Sequence, residues 1–79
     1  MKTLNNAATA KYWYGPIGPG DDFGMPIHDE FIDGRIAMGS SWAIMSPSTW
    51  RMHGVGKLGT GYGQRYKKQA DGRWLKVEG

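Results

Sequence analysis

Two histidines, a glycine-rich stretch and a full absence of cysteine bound the chemistry open to this chain. His28 and His53 lie in unconnected segments with no third residue at a metal-ligand spacing, so surface or capping roles are the simpler reading. Without cysteine there is no thiolate nucleophile, no disulfide and no zinc–thiolate site. Ser40, Ser41, Ser46 and Ser48 stand among turn and capping residues, not on a strand-to-helix elbow. Gly54-x-Gly56-x-x-Gly59 matches the dinucleotide-binding glycine pattern, but a helix, not a strand, is expected before it, and more glycine follows. Gly56-Lys57 also fails as a phosphate loop, because Leu58 stands where Ser or Thr would hold magnesium. What survives is a loop offering backbone N–H groups to phosphate, flanked by Lys57 and Arg65. No catalytic set is legible, which points to a non-enzymatic protein without a cofactor.

The densest chemistry is the basic and aromatic mixture at Tyr62, Gln64, Arg65, Tyr66, Lys67, Lys68, Arg73, Trp74 and Lys76. Cations neutralise phosphates and release counterions, and exposed rings stack on bases. In a two-stranded ribbon, however, alternation predicts Tyr66 and Trp74 on one face and the charges on the other. The charge is polarised along the chain. Residues 1–34 carry two basic against five acidic side chains, and residues 35–79 carry eight against two. The C-terminal half is thus an electrostatic handle or a solvated basic face.

The elements that must position these residues are short. Residues 1–11 are polar and alanine-rich and read as a tail; residues 12–79 read as one small domain. Tyr12-Trp13-Tyr14 precedes an irregular Gly15–Gly20 loop, and its rings are either packed or displayed as an interaction patch. Glu30–Ala37 predicts a hairpin turning at Asp33-Gly34. Trp42–Met45 reads as a short buried strand. Ser46 reads as an N-cap with Pro47 opening a helix to His53, stopped by Gly54 in the left-handed conformation. Gln64–Lys68 and Arg73–Val77 flank Ala70-Asp71-Gly72 as a second hairpin, with Tyr66 and Trp74 as cross-strand aromatics. The expected fold is small α+β, mostly β: two short antiparallel hairpins and one short helix.

A chain of 79 residues buries only roughly 60–65% of its unfolded surface. Its ten aromatic residues, four of them tryptophan, must supply much of the core, or self-association must help, so a homodimer stays open. No apolar run approaches the length of a membrane span, and the opening residues carry no secretory pattern, which makes the cytoplasm the expected location.

From Gly20 to Tyr66 the chain resembles small uncharacterised bacterial and phage proteins of zinc-ribbon type. The likeness rests on Gly24, Phe31-Ile32-Asp33-Gly34, Met38-Gly39, Trp42-Ala43-Ile44-Met45, Gly54-Val55-Gly56, Leu58-Gly59-Thr60-Gly61, Gly63-Gln64 and Tyr66. The family pattern places C-x-x-C before the acidic segment and C-x-x-C-H after the tryptophan segment. Those four ligand positions fall here on Gly20, Phe23, Ser46 and Thr49, with Trp50 in place of the histidine. The resemblance therefore implies a ribbon-like fold without metal, in which Phe23 and Trp50 would fill the vacated site. The family has no role to carry over, so the resemblance leaves function open. With the small size, the missing catalytic set and the split charge, the likeness to phage-borne proteins points to a phage or mobile-element accessory protein. The functional expectation is a protein that binds and inhibits a host protein complex, such as an anti-CRISPR inhibitor of a defence complex. Trp13, Arg51 and Arg65 are its expected anchors. The alternative is a nucleic-acid-binding ribbon using Lys57, Arg65, Lys67, Lys68, Arg73 and Lys76.

Overall fold

The computed structural model describes residues 10–79. Four strands, β1 (Glu30–Arg35), β2 (Trp42–Met45), β3 (Gly63–Lys68) and β4 (Trp74–Glu78), form one antiparallel sheet in the order β2-β1-β3-β4. One short helix, α1 (Pro47–His53), packs against β1 and β2. The fold is small α+β, mostly β, with two hairpins and one helix, as expected. The expected tail over residues 1–11 lies, for residues 1–9, outside the described residues. The Lys11 carbonyl already accepts a hydrogen bond from Lys76 N–H at 2.8 Å.

The first hairpin does not turn where Asp-Gly suggested. Asp33 and Gly34 lie inside β1, opposite Ile44 and Ala43 on one side and Gln64 and Gly63 on the other, and residues 36–41 make the connection. Gly34 is needed for space instead of for a turn. A Cβ there would meet Cζ3 of Trp50 at 2.5 Å. Gly54 has the same explanation: it is extended (φ −77°, ψ 165°), not left-handed, and a Cβ would strike the Trp50 ring. Gly63 closes the cradle, with Cη2 of Trp50 at 3.3 Å from a modest side chain's first carbon.

Strand alternation sends Phe31, Asp33 and Arg35 to one face and Ile32 and Gly34 to the other. On the helix face Trp50 packs with Ile32, Ala43 and Met45, and Ile36, Val55 and Leu58 border the cluster. On the opposite face Phe31 is fully buried beneath three rings: Trp13 (5.3 Å, edge-on), Tyr66 (5.0 Å, stacked) and Trp74 (5.1 Å, edge-on). Such pairs contribute about 0.5–1.5 kcal/mol each beyond their buried area. Tyr66 and Trp74 are not direct cross-strand partners, since Tyr66 opposes Lys76 and Lys68 opposes Trp74; they meet through Phe31.

A seven-residue helix is unstable alone. Here Ser46 Oγ accepts from Thr49 N–H at 3.2 Å, Pro47 opens the first turn, and Trp50 anchors the buried side. The helix start is also tied to a turn that precedes β1. Asp21, 8% exposed, accepts from Phe23 and Met25 N–H through Oδ1 and from Ser46 N–H through Oδ2, at 2.8–2.9 Å. Burial alone would raise its pKa; the bonds from Ser46, Thr49, Met25 and Phe23 outweigh that and bring it to about 2. The expected Phe23–Trp50 cluster does not form. Trp50 is claimed by the glycine cradle, while Phe23 is 40% exposed and stacks on His53, and the carboxylate of Asp21 makes the link between the two segments.

Both sheet edges are covered, which removes the unpaired backbone that invites strand addition. On β2, Asp22 N–H donates to Ile44 O and Asp22 Oδ2 accepts from Ile44 N–H. On β4, Tyr12 bridges Leu75, with Trp13 N–H donating to Trp74 O.

Candidate nucleic-acid interface

The β3–β4 hairpin holds most of the cations that the sequence singled out, and its register decides what each can do. Arg65 is not available: Nη1 lies 3.1 Å from Glu30 and Nε 3.4 Å from Glu78. Arg73 donates to Asp71 at 2.9 Å across the turn and lies over the Tyr12 ring at 4.0 Å. Asp71 is correspondingly held below the usual carboxylate range, chiefly by the Arg73 N–H and then by its guanidinium, and Arg73 is raised by the same hydrogen bond. Lys67 and Lys68 are exposed and Lys76 is half-buried. None of these three forms an ion pair among the described residues. The ammonium of Lys68 lies 5.7 Å from the Trp74 ring centre.

The expected separation of rings from charges does not hold. Tyr66, Lys68, Trp74 and Lys76 share one face because Tyr66 opposes Lys76 and Lys68 opposes Trp74; Lys67 sits opposite Leu75 on the other. The rings that cover Phe31 are therefore rimmed by lysines, not backed by them. Trp13 is half-buried in that cluster, 5.5 Å from Tyr66, so it acts first as packing.

Arg51 and Lys57 stand apart from the hairpin. Arg51 is exposed in the last turn of α1. Lys57 belongs to the glycine loop, where its ammonium lies 4.3 Å from the Tyr62 ring centre. That loop is not an open cradle for phosphate. Gly59, Tyr62 and Gly63 N–H groups are spent on its own turn, and Arg65 points to carboxylates. No family model, curated protein or solved structure matches the chain.

Among the described residues no group of three or more His, Cys, Asp or Glu is arranged to hold a metal ion, and no helix is long and apolar enough to cross a membrane. His28 is exposed, and His53 stacks on Phe23 at 4.6 Å and 9°. Ser46 and Ser48 hydroxyls lie 3.1 Å apart within the helix cap.

Sequence reasoning missed Arg35 and Trp42 as site residues, and placed Tyr62 with the hairpin cations instead of with Arg35. Arg35 faces Trp42 across the β1–β2 ladder, donates its N–H to Tyr62 O, and lies over the Tyr62 ring at 5.3 Å. The misplaced turn hid it, because a continuous β1 puts Arg35 on the same face as Phe31. Asp33 lies between them on that face, with its pKa raised by burial and then by Asp22.

Proposed function

We propose that this protein is a non-enzymatic binding module whose partner is nucleic acid, engaged by the β3–β4 hairpin. The observation that carries this reading is the pair Lys68 and Lys76, free of ion pairs among the described residues and placed beside the Trp74 and Tyr66 rings, with Lys67 likewise unpaired on the opposite face. Unpaired lysines supply phosphate contacts, and the neighbouring rings give a stacking platform. Arg73 adds a cation whose Asp71 partner is solvent-exposed and readily exchanged.

Fluorescence anisotropy with single- and double-stranded DNA and RNA, at about 50 and 200 mM salt, tests it. Three phosphate contacts, from Lys68, Lys76 and Arg73, give a slope of log affinity on log salt near −2 for single strands, so binding should weaken roughly 20-fold between those salts. Lys68→Ala and Lys76→Ala should each flatten that slope by about 0.7, and Arg65→Ala by much less. No binding at the lower salt rejects the reading.

A second reading, an accessory protein that binds and inhibits a host protein complex, as in phage anti-CRISPR proteins, draws support from a different place. Phe23 and His53 stack at the surface, and Met52 (77% exposed) and Met25 (47%) present apolar area on the same helix and turn. Exposed aromatic and methionine area of this kind is favoured at protein interfaces. Phe23→Ala should abolish capture of such a complex while leaving nucleic-acid affinity unchanged. This reading, like the zinc-ribbon resemblance, stands on the sequence likeness beyond that surface.

A further inference from the structure

Arg35 and Lys57 converge on one ring. The guanidinium carbon of Arg35 lies 5.3 Å and the ammonium of Lys57 4.3 Å from the centre of Tyr62. Neither cation has a carboxylate partner among the described residues. Two like charges held at one ring repel each other, and the ring quadrupole offsets only part of that repulsion. The Nε of Arg35 is moreover buried without a hydrogen-bond partner. That buried atom is out of reach of an incoming anion, but a guanidinium's fork of planar donors in general fits a phosphate. Beside it Trp42, opposite Arg35 in the ladder, is 43% exposed on the same face of the sheet.

We infer that Arg35, Lys57 and Tyr62 form a phosphate-binding locus for single-stranded nucleic acid, with a base stacked on Trp42. This deepens the reading of the hairpin and rests on it. The locus sits at the far end of β1 from the Phe31 cluster, four residues along, or about 14 Å on the same sheet face. A strand laid across that face meets cations and a ring at both ends. Asp33, between them, repels a phosphate, so the strand presents a base there and its backbone at the ends. Asp22, whose charge acts on Asp33, adds to the repulsion. A duplex cannot use Trp42, because stacking needs an unpaired base.

The experiment measures anisotropy of labelled oligothymidylate and oligouridylate of about 12 nucleotides, with a duplex of equal length as a second arm. The full chain is compared with Trp42→Ala, Lys57→Ala and Lys68→Ala. Trp42 and Lys57 are exposed, and circular dichroism and urea unfolding are run on each variant to check that it is folded. Trp42→Ala is expected to weaken single-strand binding at least fivefold with the salt slope unchanged. Lys57→Ala is expected to flatten the slope by about 0.7, and duplex affinity should not respond to Trp42→Ala. If Lys68→Ala weakens binding while Trp42→Ala and Lys57→Ala bind like the parent, the hairpin binds alone and this locus is rejected. If the parent binds the duplex but no single strand, the locus is rejected and the hairpin reading stands; if it binds neither, both fall.

Discussion

Replacing Asp21 with asparagine breaks one side of the link between the 20–26 turn and the start of α1. The carboxylate of this largely buried residue accepts three backbone N–H groups, from Phe23, Met25 and Ser46. Asparagine can accept at one oxygen only, so its NH₂ group must face either Ser46 N–H or the Phe23–Met25 pair. Lowering the Asp21 pKa from 3.8 to about 2 corresponds to about 2.5 kcal/mol of folding stability. The pH window follows from that direction. The carboxylate is more acidic in the folded state, so its contribution is complete above about pH 4 and is lost as pH falls towards 2. For a domain of this size, with a urea slope near 1 kcal/mol/M, Asp21→Asn should lower the unfolding midpoint by up to about 2.5 M at pH 7. The difference between parent and variant should then shrink between pH 4 and 2, because protonation removes from the parent what the substitution removed from the variant. Urea unfolding followed by tryptophan fluorescence at several pH values from 7 to 2 reads both quantities. A stability difference that stays constant down to pH 2 would refute the argument that an ionised carboxylate makes the link.

Two further substitutions probe the sheet. Asp33 has a raised pKa, from burial and from Asp22, so its ionised form opposes folding; Asp33→Asn should raise the unfolding midpoint at neutral pH, and the gain should vanish as pH falls below the native pKa. Urea unfolding at pH 7 and pH 3 checks it, and a gain retained at pH 3 contradicts it. Gly34→Ala drives a methyl into the Trp50 ring from the middle of β1, where the backbone cannot retreat, and should cost about 1–3 kcal/mol. The same measurement, with near-ultraviolet circular dichroism to report on Trp50, should show a displaced indole.

What could be read from the sequence was local. Ser46-Pro47 announced the helix because a cap and a fixed φ act within a few residues, and Ala70-Asp71-Gly72 announced the second hairpin, with Gly72 at φ +90°. Asp33-Gly34 carries the same local signal and means something else. Its glycine serves a tryptophan sixteen positions further along, and no short-range rule registers that. The same limit hid Asp21, whose partner Ser46 is 25 residues distant. It also hid the Arg35–Tyr62–Lys57 locus, since its members come together only when β1 continues through Gly34 and pairs with β3. Of the candidate cations, type and position were legible but pairing was not: Arg65 and Lys67 are two residues apart, and only Arg65 meets Glu30 and Glu78.

The covering of β4 by Tyr12 and Trp13 bears on how the chain comes off the ribosome. Trp13 must wait for Phe31, then Tyr66, then Trp74 before its cluster exists, and the bridge to Leu75 forms later still. During synthesis the early aromatic segment stays without its partners while β1, β2 and α1 can already assemble around Trp50. The two faces of the sheet are thus completed in a fixed order, the helix side first. Non-local closure of this kind slows folding and leaves apolar surface open meanwhile. A nascent chain stalled before Arg73 would leave Phe31 and Tyr66 without the Trp74 ring and β4, and that apolar surface stays open to chaperones and proteases until β4 is made.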